Sequence, residues 1–221
     1  MQLHRDLLKF TPLSYGGTFK TTANEIDAVM PDGTKQVLFK PVEPYETAES
    51  INELCETFDI ALKKQIVDPL ILIPCFILDF LCIHPFNDGN GRMSRLLTIL
   101  LLYKCGYEIG RYISIEKAIA DTKEAYYDAL MRSDKGWHEN ENDPKYFIKY
   151  MLGIILSCYR DFETRVETVN KSGAKSTSYD IVKAYALRTI GTFTKQDALE
   201  NCPSLGSSSV ESALKKLVKD G

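Results

Sequence analysis

The chain has 221 residues and a mass of 25.0 kDa, which at roughly 150 residues per domain is room for one substantial core and a small appendage. Hydrophobic residues make up 44% and charged residues 26%, the balance of a globular chain, which excludes wholesale disorder. With 27 basic against 30 acidic side chains, the net charge of −3 excludes a protein that coats nucleic acid through bulk charge.

Residues 1 to about 45 mix turn-formers with short β-prone pieces. Met30-Pro31-Asp32-Gly33 is a turn signal, and the runs on either side of it predict a two-stranded hairpin over about residues 25–40. Pro41 and Pro44 stop extended pairing, because proline has no N–H to donate. From about residue 47 the apolar spacing turns helical. Thr47 or Ser50 is expected to cap a helix carrying Ile51, Leu54, Phe58 and Leu62, and Asp68-Pro69 opens a second that is apolar on nearly every side. A third runs from about Arg92 to Lys104 and ends at Gly106, suited to a left-handed cap. Further helices fit Ser114 to Arg132 and Pro144 to about Thr168.

Residues 169–178 have the composition of a linker. Beyond it, short helices fit Ser178–Thr189, Lys195–Asn201 and Ser207–Lys219, the pattern of a winged helix-turn-helix that stops where its wing would start. The expected organisation is a mainly α core over 1–168, a linker, and a helical unit over 179–221. Lys215, Lys216 and Lys219 on the last helix suit either DNA contact and partner docking or a solvated face.

Two further exclusions follow. The most apolar stretch, Leu70 to Ile83, carries Pro74 and Asp79 and falls short of the roughly 20 residues that a membrane span needs. The amino terminus carries Asp6 and Lys9 where a secretory signal is apolar, so the expected location is cytoplasmic. The six cysteines include no C-x-x-C pair and read as free buried thiols. His4, His84 and His138 form no metal-ligand spacing.

The informative stretch is Ile83 to Leu97, IHPFNDGNGRMSRLL, which joins two strongly apolar helices. Gly89-Asn90-Gly91 sits where the second helix begins. The first N–H groups of a helix have no internal partner, and glycines let a ligand approach, so a phosphate cradle is predicted there. Arg92 and Arg95, three apart, add two guanidinium forks suited to more than one phosphate. Asp88 is placed to hold Mg²⁺ beside phosphate oxygens. His84, at the end of the preceding helix, is a competent base near neutral pH. Phe86 is expected to pin the loop to the core. Each residue alone has a plain structural reading as a turn, a cap or a solvated face. Together in one short loop they describe a phosphoryl- or nucleotidyl-transfer site.

His84-Pro85-Phe86-Asn87-Asp88-Gly89-Asn90-Gly91-Arg92-Met93-Ser94-Arg95 resembles, without a departure, the Fic-domain signature H-P-F-x-D/E-G-N-G-R-x-x-R. The resemblance covers roughly residues 10–165. It implies a Fic-type helical bundle with a β-hairpin flap, and an enzyme that transfers AMP from ATP to a Tyr, Thr or Ser hydroxyl of a target protein or of itself. In that role His84 takes the hydroxyl proton. Asp88 holds Mg²⁺. Gly89, Asn90 and Gly91 stabilise phosphate oxygens, and Arg92 and Arg95 engage the outer phosphates. Tyr126 matches a position lining the nucleotide base pocket, with helix packing as its alternative. Val37, Leu38, Phe39 and Lys40 in the flap align the target by strand addition.

The alternatives left open are phosphate transfer or removal of AMP at the same site, and a DNA-binding regulator with a nucleotide-sensing core. Homo-oligomerisation is also left open. Many similar proteins carry an inhibitory helix with the pattern S/T-x-x-x-E-G/N. Thr21 to Glu25 is followed by Ile26, and Ser207 to Glu211 by Ser212, so neither fits. Either this form is unrestrained or truncated, or another chain supplies the glutamate; the favoured expectation is a truncated chain whose inhibitory helix precedes Met1.

Overall fold

A computed structural model describes residues 1–12, 16–29, 34–170, 177–189 and 191–220. The chain is mainly helical with one two-stranded antiparallel sheet. It forms two compact units, one of residues 1–107 and 122–152, the other of residues 108–121 and those from Gly153 on.

The first unit opens with a short helix α1 (Gln2–Leu8), followed by β1 (Ile26–Val29) and β2 (Lys35–Phe39). The two strands form the expected hairpin, while the turn expected at 30–33 lies outside the described residues. Asp27 pairs with Val37 and Ile26 with Phe39, so Leu38 is the extra residue of a bulge. Helix α2 spans Thr47–Lys63, and its N-cap is Glu46 rather than Thr47 or Ser50. The Thr47 hydroxyl donates instead to the Glu43 carbonyl at 2.9 Å, which occupies it inside the first turn.

Helix α3 (Pro69–Ile83) begins as its sequence dictates. Asp68 accepts from the Leu70 N–H at 2.8 Å, and Pro69 occupies the first turn, where no N–H is needed. Ile73, Phe76, Ile77, Leu78, Phe80, Leu81, Cys82 and Ile83 are all buried, which makes α3 the central rod of this unit, packed between α2 and α4 (Asn90–Lys104). Helix α4 ends at Gly106, whose φ of +87° completes a left-handed cap.

The single helix expected over Ser114–Arg132 is two helices, α5 (Ile115–Asp121) and α6 (Lys123–Ser133). Thr122 breaks the run at φ −122°, ψ 35°, and its hydroxyl lies 2.7 Å from the Tyr150 hydroxyl. A β-branched residue with a competing hydrogen bond is a natural place for that break. Helix α7 spans Lys145–Asn170.

In the second unit α8 (Ser178–Arg188), α9 (Lys195–Asn201) and α10 (Ser207–Asp220) enclose Val182, Tyr185, Ala198, Cys202, Val210 and Ala213. Thr177 with Asp180, and Thr194 with Asp197, form reciprocal capping boxes at two of the three starts. The unit also takes in α5 and the second half of α7, a wider set than residues 179–221. Most of the expected linker, residues 171–176, lies outside the described residues. All six cysteines are free. Among the described residues no helix is long and apolar enough to cross a membrane.

Candidate active site

The segment from Ile83 to Arg95 leaves α3 and enters α4 through a loop that is braced from three directions. The first brace is internal. The Asn90 side chain accepts from the Phe86 N–H at 3.0 Å and donates to the Phe86 carbonyl at 2.7 Å, closing the loop on itself. Asn90 is 2% exposed, so these bonds are made away from water, where a lost partner is costly. The side chain expected to steady phosphate oxygens is thus occupied by the loop. What Asn90 offers an anion is its backbone N–H.

The second brace comes from α1. The Gly17 N–H donates to His4 Nδ1 at 2.9 Å, so the ring proton is on Nε2, which donates to the Asp88 carbonyl at 3.0 Å. The His4 ring stacks on Phe86 at 3.7 Å between centroids, and Phe19 and Phe80 crowd the same phenyl ring. Phe86 is buried in this cluster, as an anchor should be. Burial holds His4 below the ordinary histidine pKa, in keeping with a neutral ring that both accepts and donates.

The third brace is the strand-like segment before the hairpin. Lys20 donates from its ammonium to the Ile83 carbonyl at 3.0 Å and from its main-chain N–H to the Pro85 carbonyl at 2.9 Å. The Asn24 amide donates to the carbonyls of His84 and Phe86 at 3.4 and 3.2 Å. Every carbonyl from Ile83 to Phe86 is therefore satisfied from residues far away in the chain.

His84 caps α3 in the left-handed conformation, with φ +50° and ψ 60°, an unusual backbone state for a non-glycine residue. Its Nδ1 lies 3.2 Å from the Leu81 carbonyl. A carbonyl can only accept, so Nδ1 carries the proton and Nε2 keeps a lone pair. Burial lowers the His84 pKa, the Leu81 carbonyl pulls the other way, and the charge on Lys20 lowers it further.

Helix α4 starts without a side-chain cap, because its N-cap is Gly89 at φ +82°. A Cβ at that position would be strained, and it would also stand 3.6 Å from Arg92 Nη2. Met93 is the first residue to bond back, to the Gly89 carbonyl at 2.8 Å, which leaves the amides of Asn90, Gly91 and Arg92 ahead of the ladder. Asp88 currently covers this end. One carboxylate oxygen accepts from the Gly89 N–H at 2.6 Å, and the other pairs with Arg92 at 3.2 Å. A carboxylate resting on a helix start and a guanidinium marks a position built for negative charge. Arg95 lies on the same side of the first turn, its Nη1 3.6 Å from where a Gly91 Cβ would stand.

Tyr126 is 7% exposed and packs edge-on against Phe147, Tyr150 and Tyr127, in agreement with its packing alternative, and burial pushes its hydroxyl up to about 12 while a bond to Ser94 of α4 pulls the other way. The exposed member of the pair is Tyr127. In the flap, Val37 and Leu38 are exposed. Phe39 instead stacks on His138 at 5.5 Å, and the His138 ring sits 2.7 Å from the Lys40 carbonyl. Trp137 donates to Asp79 of α3 at 2.8 Å, so the end of β2 is moored to the core through residues 137–138. A groove of about 460 Å³ lies beside it, lined in part by Leu38, Lys40, Met131 and Gly136.

His4, Lys20 and Asn24 carried no signal as site residues in the sequence. Each acts through a hydrogen bond to a distant main-chain group, which leaves no local spacing to read. The lysines of α10 are partly engaged at home: Lys215 pairs with Glu211 at 3.0 Å, and Lys216 sits over the Tyr179 ring at 4.4 Å.

A buried rod, a braced turn and an uncapped helix start define a Fic-type fold and loop. The sequence comparisons agree. Residues 1–102 match the sequence model of the Fic/DOC family. A Fido domain-containing protein of Dictyostelium discoideum is 34% identical over 88 residues, 40% of this chain and 57% of its own. A protein adenylyltransferase Fic of Culex quinquefasciatus is 28% identical over 153 residues, 68% of this chain and 26% of its own. The crystal structure of a Fic domain-containing signaling protein from Bacteroides thetaiotaomicron aligns with a TM-score of 0.53 at 24% identity, covering 72% of this chain and 59% of that one. A Fic family protein from Desulfovibrio desulfuricans aligns with a TM-score of 0.55 at 20% identity, covering 98% and 60%. At those identities the structural likeness is one of fold. The chain thus spans about three-fifths or less of each of these proteins. The family match covers residues 1–102, a little under half of the chain, and the structural neighbours share its fold.

Proposed function

We propose that this protein is an ATP- and Mg²⁺-dependent adenylyltransferase that places AMP on a protein hydroxyl. One observation carries the reading: the Nδ1–H of His84 is committed to the Leu81 carbonyl, so its Nε2 lone pair is kept for a proton, on a loop that leads within six residues into an uncapped helix start. In the proposed reaction Nε2 takes the proton of a target Tyr, Thr or Ser hydroxyl. The oxygen bonds to the α-phosphorus of ATP, the bond from that phosphorus to the oxygen bridging to the β-phosphate breaks, and pyrophosphate leaves. The amides of Asn90, Gly91 and Arg92 face the phosphate oxygens as charge gathers on them.

Arg92 and Arg95 take the outer phosphates, which requires Arg92 to release Asp88. A single carboxylate beside a polyphosphate cradle fits Mg²⁺, which prefers one or two carboxylates with phosphate oxygens and water. Among the described residues no cluster of three metal-ligating side chains competes for that part. Asp88 would hold the ion, which neutralises phosphate charge when bound.

The reading is tested by incubating the protein with a cell lysate and ATP labelled either on the α- or on the γ-phosphate. Label from the α-position alone, and a mass increase of one AMP moiety on the product, are expected. Label from the γ-position alone would make this a phosphotransferase, and no label from either would remove the enzyme reading.

A further inference from the structure

The motif-like loop contributes the base, but a buried cation that bears on it comes from outside the loop. Lys20 is 2% exposed, an uncommon burial for a lysine, and it brackets His84. Its ammonium holds the carbonyl of Ile83, one residue before His84, and its main-chain N–H holds that of Pro85, one residue after. The ammonium is itself oriented by Asn24 Oδ1 at 2.9 Å, and the amide of the same Asn24 reaches the His84 carbonyl.

Resting on the transferase reading above, we propose that Lys20 is a positioning residue for the transfer, one that holds His84 in its left-handed cap and places a buried positive charge behind the imidazole. The placement has two consequences. Lys20 fixes the peptide plane before His84 through the Ile83 carbonyl, and Asn24, bonded to the same ammonium, holds the plane after it through the His84 carbonyl, so the main chain of the left-handed cap is pinned on both sides. The cation also opposes a second positive charge close by, so the ring stays unprotonated and able to accept. Among the described residues, Lys20 is the charged group that bears on His84, and Glu43 is the one that bears on Lys20. Burial brings the Lys20 ammonium down to about 8, with Glu43 pulling the other way. It is therefore still charged over the range in which a histidine titrates.

The chain has three histidines, so the titration of His84 can be followed by NMR once the other two are assigned by substitution. The experiment needs no nucleotide and reads the proposal separately from the transfer reaction. In Lys20→Met the His84 midpoint should rise by about one pH unit, the usual scale for removing a nearby like charge. Lys20→Arg should leave it low. Lys20→Gln keeps an amide donor for the Ile83 carbonyl without the charge, and should shift His84 as Lys20→Met does.

In active protein the acid limb of the transfer rate should move up with that midpoint. An unchanged His84 midpoint in a folded Lys20→Met or Lys20→Gln protein overturns the proposal. So does unfolding of both, which would make Lys20 a folding residue only. If the parent transfers no AMP yet the midpoint shifts as stated, the role of Lys20 stands and the transferase reading is the part that fails.

Discussion

The loop from Ile83 to Arg95 and the helical trio from Ser178 to Asp220 are held together by opposite means. The trio closes over a small apolar core, with capping boxes that two of its three helix starts supply from their own first turn. Between the end of α3 and the start of α4 the loop has little apolar substance of its own beyond Pro85 and Phe86. It is held by polar bonds whose partners, His4, Lys20 and Asn24, are drawn from the first 24 residues, with Gly17 orienting His4. Apolar burial is non-directional and tolerates small shifts, whereas a buried hydrogen bond fixes distance and angle. The region where an imidazole and an uncapped helix must stay in register has the directional kind.

That contrast can be broken with substitutions. The largest effect is expected for His84→Ala, which should lower AMP transfer at least about 100-fold, the usual scale of general-base catalysis, while leaving ATP binding and the melting temperature close to those of the parent. Labelling with α-labelled ATP and a thermal melt read both. Asn90→Ala should follow. It orphans the buried Phe86 N–H, so a loss of about 1–3 kcal/mol of stability is expected in denaturant titration, together with lost transfer. Thr194→Ala removes a capping box in the trio and should cost about 1 kcal/mol with transfer unchanged, which separates the two regions directly.

The smallest effect is one of pH. Because burial lowers the His84 pKa, the ring gains its proton only below the ordinary value of 6.5, and transfer should persist below that pH rather than halving there. A pH profile of the labelling rate, with a midpoint at or above 6.5, would contradict the buried, neutral base.

Much of this arrangement was legible in the amino-acid order. The hairpin, the apolar rod from Pro69 to Ile83, the glycine cap at 106 and all three carboxy-terminal helices fall within a few residues of where periodicity and turn chemistry put them. Those signals are local, and so they can be read along a chain. The break at Thr122 could not be read, because it depends on a hydroxyl from Tyr150 in another helix. Tyr126, together with Ala129 and Ser133, lies on the buried face of α6, a spacing that the sequence shows and that agrees with its packing alternative. The motif residues from His84 to Arg95 were identifiable as a group. What their side chains hold was not, and Asn90, bonded to the loop rather than turned to an anion, is the clearest case.

The central claim is that a triphosphate displaces Asp88 from the start of α4 and comes to rest within reach of the His84 ring. A crystal structure of His84→Ala with ATP and Mg²⁺ tests it most directly. The expected result places phosphate oxygens on the amides of Asn90 to Arg92, with Arg92 turned from Asp88 to the nucleotide. A nucleotide bound elsewhere, with the Asp88–Arg92 pair intact, would contradict it.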